Sequence, residues 1–180
     1  MLKLKIFTIY VTILLLLSGC STIFLNDSNG KSLDILKNQR TLEMQMQITR
    51  GDSSYAMDLV VDVHNEGLTV IGSAFGARVF TLSFDGNLIS EGVGLGLPIS
   101  FPNRLIIDDV ILTLATLKSL KTNLPDGCSI SAEGDWQRIY CDGQLIVNIK
   151  YQKMIDKNEL VSIERLYPEY KVNFVISEAK

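Results

Sequence analysis

The sequence predicts a mainly β, α+β fold: a curved antiparallel sheet, or incomplete barrel, of about ten strands wrapped around one or two inserted apolar helices. Three observations predict it. From Leu42 onward, apolar residues recur at every second position in run after run, as in strands with one wet face and one buried face. Gly-Asp and Asp-Gly pairs punctuate those runs at hairpin spacing. Between Pro102 and Pro125 the period changes to three and four, and the segment is apolar nearly all round. Such a helix must be enclosed, and a curved sheet is the simplest enclosure.

The chain opens with Met1-Leu-Lys-Leu-Lys5, a short positive region, followed by twelve mostly apolar residues from Ile6 to Leu17. That run has the length of a signal-peptide core and is too short to span a bilayer comfortably. Leu17-Ser18-Gly19-Cys20 follows and resembles the lipobox of bacterial lipoproteins. The resemblance implies cleavage before Cys20, a diacylglyceryl group on its thiol and a further acyl chain, such as palmitate, on its new amine. Two or three acyl chains hold firmly where one binds only marginally. The expected divisions are a signal peptide over 1–19, a lipidated tether over 20–31 and one domain over 32–180. Ser21 after the lipidated cysteine matches the enterobacterial address for the outer membrane. Cleavage would remove Lys3 and Lys5 and take the net charge from −3 to −5. Mild acidity without a Lys/Arg cluster argues against nucleic acid as a partner.

The strands follow in order. Leu42, Met44, Met46 and Ile48 alternate with polar residues. After the Gly51-Asp52 turn, Tyr55, Met57, Leu59, Val61 and Val63 do the same. Leu68 and Val70 begin a third strand, and Phe80, Leu82 and Phe84 mark a fourth. Asp85-Gly86 returns the chain through Leu88–Ser90. Residues 91–98 (EGVGLGLP) then read as an irregular, flexible loop. In the helical segment Ile106, Val110, Leu114, Leu117, Leu120 and Leu124 share one face, and Thr113 and Thr116 are places where it could divide. Asp108 and Asp109 stand early in this helix. As neighbours they are expected to point to different faces and to favour the helix N-terminus electrostatically. Strands resume over Ser129–Glu133, Trp136–Cys141, Leu145–Tyr151, Val161–Leu166 and Val172–Ile176.

With Cys20 assigned to lipid, Cys128 and Cys141 remain, in a compartment that permits disulfides. If Gly134-Asp135 is a two-residue hairpin loop, the two cysteines fall directly opposite each other in a non-hydrogen-bonded pair, where side chains are closest. That register predicts a cross-strand disulfide. Two buried free thiols are the alternative.

Candidate chemistry is sparse. His64 is the only histidine, it lies on the polar phase of a strand end, and neither a GxSxG elbow nor a CxxC pair occurs. No catalytic residue, metal site or cofactor is expected. Gly92, Gly94 and Gly96 lack the strand-to-helix context and the lysine of a phosphate loop. Phe75 is more informative, as a large apolar residue among small ones (Gly72-Ser-Ala-Phe75-Gly-Ala-Arg78) in a probable-turn position between strands. Either it folds back into the core, or it is an exposed tip that touches membrane or ligand.

The lipobox, the alternating strands, the mid-chain apolar helices and the segment Val70-Ile-Gly-Ser-Ala-Phe75-Gly-Ala-Arg-Val-Phe80-Thr-Leu82 together resemble the LolA/LolB class of periplasmic lipoprotein carriers and receptors. Phe75 falls where LolB carries an exposed leucine that helps pass acyl chains into the outer membrane. The pattern GL-V-GSAFGARVF-L-FDG, with a later R-IYCDGQLI-IKY, is closer to a group of LolB-like lipoproteins encoded with aryl-polyene or fatty-acid-type biosynthesis genes. The resemblance covers Leu42 to Ile176. Phe in place of Leu at the tip, the cysteine pair, and the lack of Trp-Pro between the helices depart from LolB.

These readings converge on a non-enzymatic lipoprotein at the periplasmic face of the outer membrane. Val70, Phe80, Leu82, Ile106, Val110, Leu114, Leu117 and Ile149 would line a groove for an acyl-type cargo or for lipoprotein acyl chains, with envelope export proteins as possible partners. Each buried CH₂ would contribute about 0.8 kcal/mol. The rival is a structural or docking lipoprotein with a dry core.

Overall fold

The computed structural model describes residues 39–64, 67–86, 88–92, 94–95, 101–154 and 158–178. The leader 1–19, Cys20 and the tether 20–31 lie outside the described residues, as does the start of the 32–180 domain.

Ten strands form one antiparallel sheet in the order β5-β4-β3-β2-β1-β10-β9-β8-β7-β6. They are β1 (Arg40–Arg50), β2 (Ser53–His64), β3 (Gly67–Ala74), β4 (Ala77–Phe84), β5 (Ile89–Gly92), β6 (Cys128–Glu133), β7 (Trp136–Cys141), β8 (Gln144–Lys153), β9 (Glu159–Leu166) and β10 (Glu169–Glu178). Two five-stranded meanders are joined along β1 and β10, the first and last strands. The curved sheet does not close, so β5 and β6 are its two edges. Helices α1 (Asn103–Leu114) and α2 (Leu117–Asn123) connect those edges. The insert therefore crosses from one margin of the sheet to the other, and the expected wrapped architecture is the one observed.

Period two sets the core. Leu42, Met44, Met46 and Ile48 of β1 are buried while their neighbours Glu43, Gln45 and Gln47 are exposed. The same phase buries Met57, Leu59, Val61 and Val63 of β2, and Val172 and Phe174 of β10. A one-residue slip would turn all of these to solvent, so burial itself holds the register. Turn chemistry agrees with it: Arg50 pairs with Ser53 across Gly51-Asp52, and Phe84 pairs with Ile89.

The helical segment breaks at Ala115-Thr116. Ala115 has extended backbone, and the Thr116 hydroxyl caps α2 by accepting a hydrogen bond from the Ser119 N–H at 3.2 Å. Thr113 does not divide the segment; its hydroxyl donates to the Asp109 carbonyl at 2.7 Å within α1. In α1 every residue from Leu105 to Thr113 is buried.

The expectation of an irregular loop from residue 91 needs correction at its start, because Glu91 and Gly92 belong to β5. Beyond them the Leu95 N–H donates to the Arg78 carbonyl at 3.3 Å, so the chain continues alongside β4. A Cβ on Gly94 would lie 2.3 Å from the Val79 carbonyl oxygen. Glycine there serves close backbone approach rather than flexibility. Without a side chain, it left no period-two signal to read.

Candidate functional site

The β6–β7 hairpin forms with Glu133 opposite Trp136 and Cys128 opposite Cys141. The cysteines are joined in a disulfide, with Cα atoms 4.0 Å apart. The Asp142 N–H donates to the Gly127 carbonyl at 2.9 Å, which puts the cysteine pair between hydrogen-bonded pairs, as the hairpin phase requires.

The eight residues expected to line a groove lie on the inward face. Val70, Phe80, Leu82, Ile106, Val110 and Ile149 are buried in the hydrophobic core, whereas Leu114 and Leu117 are half-buried. With α1 in place these six side chains pack within that core, and a cargo reaching them would have to displace the helix.

Within that apolar interior lies a polar cluster. The Arg165 guanidinium donates through Nε to Asp109 Oδ1 at 2.7 Å and through a terminal nitrogen to Asp108 Oδ2 at 2.5 Å. The Tyr170 hydroxyl donates to Asp109 Oδ2 at 2.6 Å, and its ring meets Phe101 edge-on with centroids 4.8 Å apart. All four polar residues are buried. This corrects the expectation for Asp108 and Asp109. The helix is enclosed on every side, so neighbouring carboxylates on different faces are both dry, and the forked guanidinium reaches both. Burial pushes the Asp109 carboxyl up to about 6; Arg165 and the Tyr170 hydroxyl oppose this, and Asp108 adds to it. Burial works against the Arg165 charge, yet Asp109 and Asp108 outweigh it and leave the guanidinium more basic than usual. Burial likewise pushes the Tyr170 hydroxyl up. The cluster ties α1 to β9 and β10, helped by the Tyr151 hydroxyl, which donates to the Leu112 carbonyl at 3.0 Å. Sealed from solvent and internally matched, it offers no group to a substrate.

Sequence reasoning missed Arg165 and Tyr170, although a signal existed. Val161, Ile163 and Arg165 share one phase of β9, and Tyr170, Val172 and Phe174 share one phase of β10. A cation on an inward phase demands a buried anion, and Asp108-Asp109 was the acidic pair inside an apolar helix.

Phe75 is the opposite case. It forms a two-residue turn with Gly76 between Ala74 and Ala77, which pair across the β3–β4 hairpin. Both turn residues have positive φ, 53° at Phe75 and 76° at Gly76. That is the φ pattern of the twist-compatible hairpin turn that favours Asn-Gly or Asp-Gly. Phe75 is fully exposed, at 108% of its reference area. Leu95 is also exposed, and its bond to Arg78 sets it beside the first residues of β4, at the same end of the sheet. Arg78 is exposed as well.

His64 lies exposed at the end of β2. Trp136 is partly exposed, with the Lys150 ammonium 5.3 Å from its ring centroid. Among the described residues, no group of three His, Cys, Asp or Glu could hold a metal ion, and no helix is long and apolar enough to cross a membrane.

Residues 41–177 match the family described as "Protein of unknown function (DUF3261)". The chain belongs to the DUF3261 family. No curated protein matches it. Among solved structures it is similar to a DUF1329 family protein from Desulfovibrio piger, with 12% identity and a TM-score of 0.39, over 82% of this chain and 90% of that one. So remote a likeness leaves the DUF3261 membership as the firm result, and it spans the strands, both helices, the disulfide and Phe75.

Proposed function

We propose that this DUF3261 protein is a non-enzymatic lipoprotein that handles acyl-type chains at the periplasmic face of the outer membrane. The observation that carries the reading is Phe75: a bulky aromatic, wholly exposed, at a backbone position that favours small or polar residues. A non-glycine residue held at positive φ costs on the order of 1–3 kcal/mol, and nothing in the hairpin offsets that for Phe75. Burial in lipid would. Leu95 adds a second apolar side chain at that end, and Arg78 places a cation where phosphate headgroups lie.

Anchoring through Cys20, with Ser21 as the outer-membrane signal, would hold the tip against the bilayer. The cargo proposed is an acyl or polyene chain, in keeping with the resemblance to LolB-like lipoproteins. In the described state the core is closed by α1, so cargo would enter by displacing the helix or would be passed along the Phe75 tip. No catalytic group, metal or cofactor enters this scheme.

Lipids extracted from the purified domain lacking Cys20, identified by mass spectrometry and paired with displacement of a fluorescent fatty-acid probe, test the cargo. Co-purified acyl or polyene chains and saturable probe binding are expected. A domain free of lipid that binds no probe would refute it. The second reading, a docking lipoprotein with a dry core, is favoured by the burial of six of the eight groove residues. Under that reading, deletion would mislocalise an envelope partner while lipid content stayed unchanged.

A further inference from the structure

β6 is an open edge, and its chemistry fits one occupant. In the β6–β7 hairpin Ser129, Ser131 and Glu133 direct their backbone groups toward β7, because Glu133 pairs with Trp136 beside a two-residue loop. Ile130 and Ala132 therefore direct theirs outward. Strand β6 pairs only with β7, and among the described residues no backbone partner meets the outward groups of Ile130 and Ala132. The Cys128 N–H, by contrast, donates to the Pro125 carbonyl at 3.1 Å.

Exposed edges are normally blunted by lysine, proline, a bulge or shortness. Strand β6 (CSISAE) has no Lys, Arg or Pro and keeps an unshifted register with β7 over all six residues. Its start is pinned by the Cys128–Cys141 disulfide, so the edge is held ready for pairing. The other edge differs: β5 is four residues long, and its Glu91 side chain accepts a hydrogen bond from Asn103 at the start of α1.

We infer that β6 pairs antiparallel with β6 of a second copy of this chain, about a two-fold axis at Ser131. Ile130 then faces Ala132 of the other copy, and each exchanges both backbone hydrogen bonds, making four. Glu133 falls opposite Ser129, so the only charged residues of the two strands do not meet. Ser129, Ser131 and Glu133, all exposed, stay on one polar face. The pairing is isologous and closes on itself, whereas β5 joined to β6 would propagate without end. None of this depends on the lipid-handling reading.

The geometry dictates the test. At the two-fold axis Ser131 faces its own copy in a non-hydrogen-bonded pair, the close kind that a disulfide can bridge. The full-length protein carrying S131C, in membranes of an expressing bacterium, should run at twice the monomer mass on a non-reducing gel. S129C, whose partner is Glu133, should cross-link at least about tenfold less. A132P removes an outward N–H without touching the β6–β7 ladder; it should abolish the dimer of the detergent-solubilised wild-type chain in sedimentation while its thermal unfolding stays cooperative. Monomeric S131C that reacts freely with a maleimide would overturn the inference. So would equal cross-linking by S129C, or S131C linked to a protein of another mass.

Discussion

Arg165 and Phe75 both defy the usual sorting of side chains, and they differ in what holds them there. Arg165 is a charge on the inward face, matched by Asp108 and Asp109, with Tyr170 completing the Asp109 carboxylate. Phe75 is an aromatic on the outside, at positive φ, with no compensation from its own hairpin. The first arrangement is closed: every strong demand it makes is met within the protein. The second is open, and what would satisfy it lies elsewhere. The Asp142-Gly143 turn between β7 and β8 makes the point within one molecule. It has the same pair of positive φ values, 50° and 77°, filled by the residues that favour them. The fold can build this turn cheaply, so the fold does not explain Phe75.

The largest effect should come from breaking the closed site. R165M leaves two carboxylates buried without their cation, and loss of one partner from a buried pair costs about 3–5 kcal/mol. Thermal unfolding followed by circular dichroism should fall by about 10 °C or more for a domain of this size.

Next is the disulfide that pins the sheet edge. C128S with C141S opens a loop with a sequence separation of 13 residues, and the expected loss is about 3 kcal/mol by the chain-entropy account. Urea unfolding should show it as a lower midpoint, matched by reduction of the wild type.

D109N sharpens the comparison through pH. Asp109 has its folded value raised from 3.8 to about 6, so the folded state holds that proton more tightly than the unfolded chain does. Its stabilising contribution is full below pH 3.8 and is lost as pH rises through about 6. Relative to D109N, the wild type should therefore gain stability on acidification from pH 6 to pH 4, by up to about 3 kcal/mol, since one pKa step is worth about 1.4 kcal/mol. Chemical denaturation of both proteins at several pH values measures this; parallel curves would contradict it.

The smallest stability effect, opposite in sign, belongs to the open site. F75N puts a residue suited to positive φ into the turn and should raise stability by about 1 kcal/mol or less. D142F in the control turn should lower it by a similar amount. The same F75N protein should bind lipid vesicles several-fold more weakly in a flotation assay.

The sheet was legible because period two and turn chemistry point the same way in β1, β2 and the β6–β7 hairpin, where the Cys128–Cys141 register followed from counting. Wherever glycine removed the side-chain signal, as at Gly92 and Gly94, the edge strand could not be read. The Arg165 cluster was illegible for another reason. Its members stand 56 to 62 positions apart across helix and sheet, and only folding shows that one guanidinium reaches both carboxylates. Phe75 stood out in the sequence, but its exposure did not follow from it: a phenylalanine among small residues reads equally well as a plug or as a tip.

That tip carries the central claim, and a fluorescent reporter at residue 75 tests it most directly. In F75W with W136F the only tryptophan sits at the hairpin turn. On adding vesicles of bacterial phospholipid, its emission should shift to the blue and be quenched by brominated acyl chains. An unshifted, unquenched emission with vesicles in excess would contradict the account.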